Sequence, residues 1–400
     1  MAAIVGAILG PCFRDDALYD TLGVTYIAGG SGGSAGWLGY SGTTERAFIV
    51  DYADTSPGGT FDWFFCYFYS SGLGADGSYR QVQQITDTTV PAGKKVDLRF
   101  SKIAGNLKLE LYNVTDSVSL ATSTSNLAAE TIYRICWKMD GTNWKIYVNG
   151  TLEITLARTT YPNGTTPRLV FRFGAASGNT GSDYWSSQMW FADSAASIDE
   201  THYPEVRGST PDGNGNYQEW TSNAYTNWDD VTVAGGLNDG DTTYNEAQNA
   251  NTKRCTSTVE DRTFSNTIYG ALFLALMRAN TASKNIPIKS MSRRAATDKE
   301  VGATITSMPA TYASYQYLYT TPASGSWDTT SYNDSEWGLR RDADAASVFV
   351  TAIAVEGAAL GATDTTPATP VVAVGQPMMH RRRQGSDWPA PSFAGIGRGR

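Results

Sequence analysis

Residues 133–156 read YRICWKMDGTNWKIYVNGTLEITL. Tyr133, Ile135, Trp137 and Met139 alternate with Arg134, Cys136 and Lys138, the period of a β-strand with unlike faces. Asp140-Gly141 supplies a turn, residues 144–148 a second strand, Asn149-Gly150 a second turn and residues 151–156 a third strand. Asn-Gly between alternating runs marks a two-residue hairpin, because a type I′ turn needs positive φ at both central positions. The stretch is an antiparallel meander.

The same grammar extends in both directions. Residues 61–69, FDWFFCYFY, carry aromatics at both parities, as a strand covered on both sides does. Residues 96–100 alternate, and after Gly105-Asn106 the residues Leu107, Leu109 and Leu111 oppose Lys108 and Glu110, a hairpin with one wet face. Further strands are expected at 168–173 and 184–191. No amphipathic helix exceeds about three turns, so the helical share falls well below the usual third. The stretch 194–216, with Pro204, Pro211 and Gly213, reads as a linker. A second β-rich block spans 217–357, its central strand at 267–278 and others at 303–306, 314–320 and 346–355. From Ala358 the chain turns Ala/Thr/Pro/Gly-rich and then basic, a composition that builds no core of its own.

The chain has 400 residues, 31 Lys+Arg against 39 Asp+Glu and a net charge of -8. With 41% hydrophobic and 18% charged residues it is a folding chain, and the length favours two domains. The acidic balance argues against nucleic acid as a partner, since phosphate binding needs a concentrated basic face. Cys12, Cys66, Cys136 and Cys255 form no Cys-x-x-Cys pair and read as buried free thiols. The apolar N-terminus lacks a basic flank and reads as a first strand or arm rather than a signal segment. The run 268–277 is half the ~20 residues a membrane helix needs, so no membrane span is expected.

Catalytic patterns are absent. There is no Glu-x-Asp-x-x-Glu strand, Gly-x-Ser-x-Gly elbow, His-Glu-x-x-His or phosphate loop. The two histidines, His202 and His380, fall in the expected linker and tail. No enzymatic activity is therefore expected. Among binding candidates, Trp37, Tyr40, Trp185 and Trp190 form a set of aromatics suited to stacking on sugar rings, or equally to core packing. Asp239 and Asp241, in the loop 238–243, are oxygen ligands suited to calcium, or members of an ordinary Asx turn. No other cofactor is expected. The basic residues Arg381, Arg382, Arg383, Arg398 and Arg400 suit docking on an acidic protein surface.

Residues 133–191 resemble the concanavalin A-like lectin/laminin-G family. The likeness rests on the strand through Trp137, the Trp144-x-x-Tyr147-Val148-Asn149-Gly150 hairpin and the strand at 184–191. It implies a jelly-roll β-sandwich. The second block resembles β-sandwich domains of tailed-bacteriophage virion proteins, on Pro211-Asp212-Gly213 before Trp220, Asp239–Tyr244, and Ser326-Trp327 followed by Tyr332-Asn333 and Glu336-Trp337-Gly338.

The expected fold is all-β: two antiparallel β-sandwich (jelly-roll) domains in series with extended terminal arms. The boundaries are an arm or first strand at 1–11, a lectin-like sandwich at 12–205, a second sandwich at 206–357 and an arm at 358–400. The resemblance implies a bacteriophage capsid decoration or minor capsid protein on the particle surface, docked through its arms. Its expected partners are other virion proteins, further copies of itself and a host-surface glycan. The alternative is a tail-fibre or receptor-binding protein whose main task is glycan binding.

Overall fold

A computed structural model describes residues 3–8, 24–28, 36–40, 46–49, 63–70, 72–87, 94–139, 143–157, 167–173, 183–192, 198–223, 231, 243–248, 251–265, 267–344 and 346–361. The described residues all belong to one compact unit within residues 1–370. The described chain is almost entirely antiparallel β-structure, with one short helix at Thr329–Asn333. The all-β β-sandwich expectation is met.

The described residues form four large sheets and a two-stranded one, Lys284–Ile286 with Ile305–Met308. Sheet I has eight strands, in the order Thr151–Ala157, Asn143–Val148, Thr131–Met139, Trp63–Ser70, Asp183–Ala192, Gly36–Tyr40 and Val24–Ala28, with Ala3–Ile8 also paired to Asp183–Ala192. Sheet II has six: Arg46–Ile49, Pro167–Phe173, Tyr79–Asp87, Lys94–Ile103, Asn106–Asn113 and Val118–Thr122. Sheet III runs Thr221–Ser222, Asn245–Ala247, Val348–Gly361, Ile268–Ala279 and Ala313–Tyr319, with Tyr203–Ser209 on Val348–Gly361. Sheet IV runs Pro211–Gln218, Lys253–Val259, Glu336–Arg341, Ile288–Arg294 and Thr297–Val301.

The meander 131–157 forms as read. Val148 stands opposite Thr151, and Asn149 and Gly150 have φ of 50° and 84°, as a type I′ turn requires. Asn149 ties the turn to the neighbouring strand Thr131–Met139 twice: its N–H donates to Arg134 O at 2.8 Å, and its Oδ1 accepts from Arg134 N at 2.9 Å.

Parity then decides which core each side chain joins. Phe64, Phe68, Ile135 and Trp137 meet Phe100 and Leu98 of sheet II in one buried cluster, with Phe68 and Phe100 ring centroids 5.5 Å apart. That cluster continues through Trp63, Phe65 and Val206 to Leu272, Leu274, Leu276, Ala352, Ala354, Ala358 and Leu360 of sheet III. The opposite parity of the same sheet III strands, Phe273, Ala275, Met277, Ile353 and Val355, joins Trp337, Leu339 and Ile288 of sheet IV in a second core. Sheet III is thus buried on both faces, which explains the unbroken apolar run of Ile268–Ala279. A register shift places Leu276 opposite Ala352 and Met277 opposite Val350, so Thr351 is a bulge and the parity of Val348–Gly361 flips there.

Two local expectations change. The segment read as a linker forms two strands, Tyr203–Ser209 and Pro211–Gln218. The second is an edge strand with Pro at its first position and two register shifts, where proline and glycine are tolerated. A Cβ on Gly213 would lie 2.7 Å from Thr258 Oγ1, and one on Gly215 would lie 2.4 Å from Thr256 Oγ1. The glycines are there because the neighbouring threonines fill that space. Finally, the last strand continues to Gly361, into the stretch read as an arm, because Ala358, Ala359 and Leu360 are buried between the two cores.

Candidate functional site

The aromatic candidates lie in sheet I. Trp37 and Tyr40 are in Gly36–Tyr40, and Trp185 and Trp190 are in its neighbour Asp183–Ala192. The register puts Tyr40 opposite Asp183, Leu38 opposite Trp185 and Ile27 opposite Trp37. On the other side, Trp185 stands opposite Phe68 and Trp190 opposite Phe64. Trp37 is therefore one position out of phase with Trp185, and the sheet does not bring the four to one parity. The calcium candidates Asp239 and Asp241, and the docking arginines Arg381, Arg382, Arg383, Arg398 and Arg400, lie outside the described residues. His202 sits beside Asp199, its Nδ1 2.9 Å from Asp199 Oδ1. Cys66, Cys136 and Cys255 are buried free thiols. Burial pushes the thiols of Cys66 and Cys136 up and that of Cys255 up to about 12, so none is a nucleophile at neutral pH.

A concentrated and largely buried polar network lies elsewhere, on the face of sheet II turned away from sheet I. In Lys94–Ile103, Val96, Leu98 and Phe100 enter the core, so Asp97, Arg99 and Ser101 take the other face. Asn106–Asn113 adds Lys108, Glu110 and Tyr112, with Asp97 opposite Tyr112 and Arg99 opposite Glu110. From Tyr79–Asp87, Tyr79 stands opposite Ser101 and Gln81 opposite Arg99. A register shift between Gln81 and Gln83 then sets Gln84 opposite Asp97. The bulge at Val82 therefore brings Gln81 and Gln84, three residues apart, to the same face.

These groups form one network. Gln81 Nε2 donates to Asp97 Oδ2 at 2.6 Å and Gln84 Nε2 to Asp97 Oδ1 at 2.5 Å. Arg99 adds Nε at 3.0 Å and Nη2 at 2.9 Å, both to Asp97 Oδ2. The Arg99 guanidinium lies between two rings, 3.7 Å from the Tyr79 centroid and 3.6 Å from that of Tyr112. Ser101 Oγ donates to Glu110 Oε2 at 2.7 Å. Burial raises the Asp97 carboxyl above its ordinary range, against the pull of Arg99, Gln81 and Gln84.

The expectation of a wet face on this hairpin is corrected: Gln81, Gln84, Asp97, Arg99, Ser101 and Glu110 are all buried. Tyr79, Tyr112 and Lys108 are half-buried and form its open margin. Chemically, Asp97 is a fixed acceptor that orients Arg99. Arg99, itself buried, holds the rings of Tyr79 and Tyr112 in place, and the two half-buried phenols are what meets an approaching molecule.

No protein-family model and no curated protein matches the chain. Solved structures similar to it are jelly-roll β-sandwiches of the glycoside hydrolase and lectin-like kind. The laminarinase catalytic domain from Thermotoga maritima MSB8 aligns at 11% identity over 40% of this chain and 70% of its own, with a TM-score of 0.27. SCLam, a non-specific endo-β-1,3(4)-glucanase of family GH16, aligns at 10% identity over 40% of this chain and 63% of its own, with a TM-score of 0.26. The receptor-binding domain of botulinum neurotoxin D aligns at 9% identity over 66% of this chain and 76% of its own, with a TM-score of 0.31. The expectation of no enzymatic activity is corrected by these findings. Catalytic domains of glycoside hydrolases are among the similar structures.

Proposed function

We propose that the chain binds glycan at the open margin of sheet II, through Tyr79 and Tyr112, whose rings the buried Arg99 holds. The observation that carries this reading is the Arg99 guanidinium clamped between two tyrosine rings and anchored from behind by a buried carboxylate. Rings so fixed lose little freedom on binding. Each phenol adds a hydrogen-bonding tip on an apolar body. The test is a glycan array probed with the full chain, Tyr79→Ala and Tyr112→Ala. Retention of a glycan that both variants lose by at least about tenfold, or ~1.4 kcal/mol, supports the reading. No retained glycan, or retention indifferent to both substitutions, ends it. Reducing-sugar release from the retained glycan separates binding from turnover.

The setting we propose is the surface of a bacteriophage particle. Its support is the sequence resemblance of the second block to virion β-sandwiches and the basic stretch at 381–400. Limited proteolysis of free protein and of particles tests it. Protection of 362–400 only on the particle supports docking, and equal cleavage in both states ends it.

A further inference from the structure

The tyrosines at the open margin of sheet II do not hold themselves in place. Each ring rests on the Arg99 guanidinium, at 3.7 Å for Tyr79 and 3.6 Å for Tyr112. Asp97 Oδ2 fixes that guanidinium in turn, through Nε at 3.0 Å and Nη2 at 2.9 Å. Asp97 is fully buried. A carboxylate out of reach of solvent thus sets, through one charged spacer, the separation of two rings that solvent does reach.

A second carboxylate is at hand for the same guanidinium. Glu110 lies directly opposite Arg99 on the neighbouring strand, its Oε2 accepting from Ser101 Oγ at 2.7 Å. The other charged and titratable groups of this face are spent or remote. Lys95 shares the strand and face of Asp97. Lys108 gives its Nζ to Ser123 O at 2.9 Å and Thr124 O at 3.2 Å. Arg168 and Arg172 stand on the same face by register, beyond Gln84 and Thr86. Among the described residues Arg99 is the one cation in contact with Asp97. Arg99 keeps its charge at every working pH, so losing one counter-charge sends it to the next.

We infer that Asp97 is a proton-operated latch on the tyrosine margin. Ionised, it holds Arg99 between the two rings, as seen here. Protonated, it releases Arg99 to Glu110 and the rings lose their spacer. These are two discrete arrangements of one buried network, the kind of element a proton can bias. Burial raises the Asp97 carboxyl above its ordinary 3.8, which places the change in mild acid. The consequence for ligand rests on the glycan reading above: glycan is held at neutral pH and released as Asp97 takes up its proton.

Tyrosine-selective 13C NMR of the full chain tests this without any glycan. Tyr79→Phe and Tyr112→Phe assign the two resonances. The expected result is that both move together on acidification, with one midpoint above 3.8. In Asp97→Asn, which keeps the shape and removes the charge, both should already stand at their acid positions at neutral pH. Resonances that stay put down to 3.8, or that titrate in Asp97→Asn as in the wild type, overturn the inference. Where Asp97→Asn fails to fold in a thermal melt, the wild-type titration decides alone. A retained glycan should bind Asp97→Asn at least about tenfold more weakly at neutral pH. Rings that move while no glycan is retained at any pH keep the latch and end the glycan reading. A retained glycan over rings that do not move does the reverse.

Discussion

Asp97 and Arg99 lie two residues apart on one strand and share one face, and the carboxylate fixes the guanidinium through Nε at 3.0 Å and Nη2 at 2.9 Å. Neither group reaches bulk water to any extent, so each depends on the other. Arg99→Met is the informative substitution, because it keeps much of the side-chain volume while leaving Asp97 buried without its counter-charge. Breaking a buried pair in this way costs about 3–5 kcal/mol. Urea denaturation at neutral pH measures it.

The same pair sets a pH dependence with a definite sign. Burial raises the folded-state Asp97 carboxyl above its usual 3.8. Stability from this group is therefore full below that value and is lost as pH rises through the raised one. Arg99 is the strongest influence pulling the carboxyl down, so removing it pushes the folded-state value further up. The deficit of Arg99→Met is expected to be smallest in acid and to grow as pH rises above 3.8. A deficit that is flat or shrinks over that range contradicts this account.

Much of sheet II was legible in advance. Val96, Leu98 and Phe100 against Asp97, Arg99 and Ser101 is a plain period of two, and so is Leu109 and Leu111 against Lys108, Glu110 and Tyr112. What periodicity hides is the bulge at Val82. Counting parity puts Gln81 and Gln84 on opposite faces, and only the register shift turns both toward Asp97. Composition misled in the other direction at Pro211–Gln218. Its Pro, Gly and Asn residues have the look of a linker, yet Gly213 and Gly215 are what allow the strand to lie against Thr256 and Thr258. The run at 268–277 was readable as a central strand. That its two faces enter different cores is a tertiary fact with no local signal.

The hairpin at 294–297 is built with the wrong residues for its turn. Arg294 stands opposite Thr297, leaving Ala295 and Ala296 as the two turn residues, with φ of 48° and 62°. A left-handed conformation costs an alanine roughly 1–2 kcal/mol, and Asn-Gly is the pair that meets this geometry without strain. Ala295→Asn/Ala296→Gly is expected to stabilise the protein by about 1–2 kcal/mol, net of the extra freedom glycine gives the unfolded chain. Chemical denaturation of the double variant checks it, and any destabilisation counts against the strain.

Gly338 marks the tightest approach in sheet IV. A Cβ there would lie 1.8 Å from Cys255 O and 2.8 Å from Thr256 Cα, both backbone atoms of the neighbouring strand. Backbone cannot yield as a flexible side chain does, so the strands must part. Gly338→Ala is expected to cost more than about 4 kcal/mol, in the range reserved for severe steric defects. Soluble expression and thermal melting report this. Gly77→Ala is the control: its φ is 85° but nothing lies within 4 Å of the added carbon. That substitution carries conformational strain alone, about 1–2 kcal/mol.

Leu274 tests whether the two sandwiches are one cooperative body. It stands opposite Ala354, and both belong to the cluster that also holds Phe65 and Trp137 of sheet I. Its chain neighbours Phe273 and Ala275 belong to the other core, with Trp337 and Leu339. A strand shared in this way cannot leave one core while remaining in the other, so loss of either core exposes both. Leu274→Ala is expected to cost about 2–5 kcal/mol, the range for a buried leucine. In differential scanning calorimetry the wild type should show one transition for the described body, and the substitution should move it as a whole. Two transitions, of which only one moves, would show that the sandwiches unfold separately and that sheet III belongs to one of them alone.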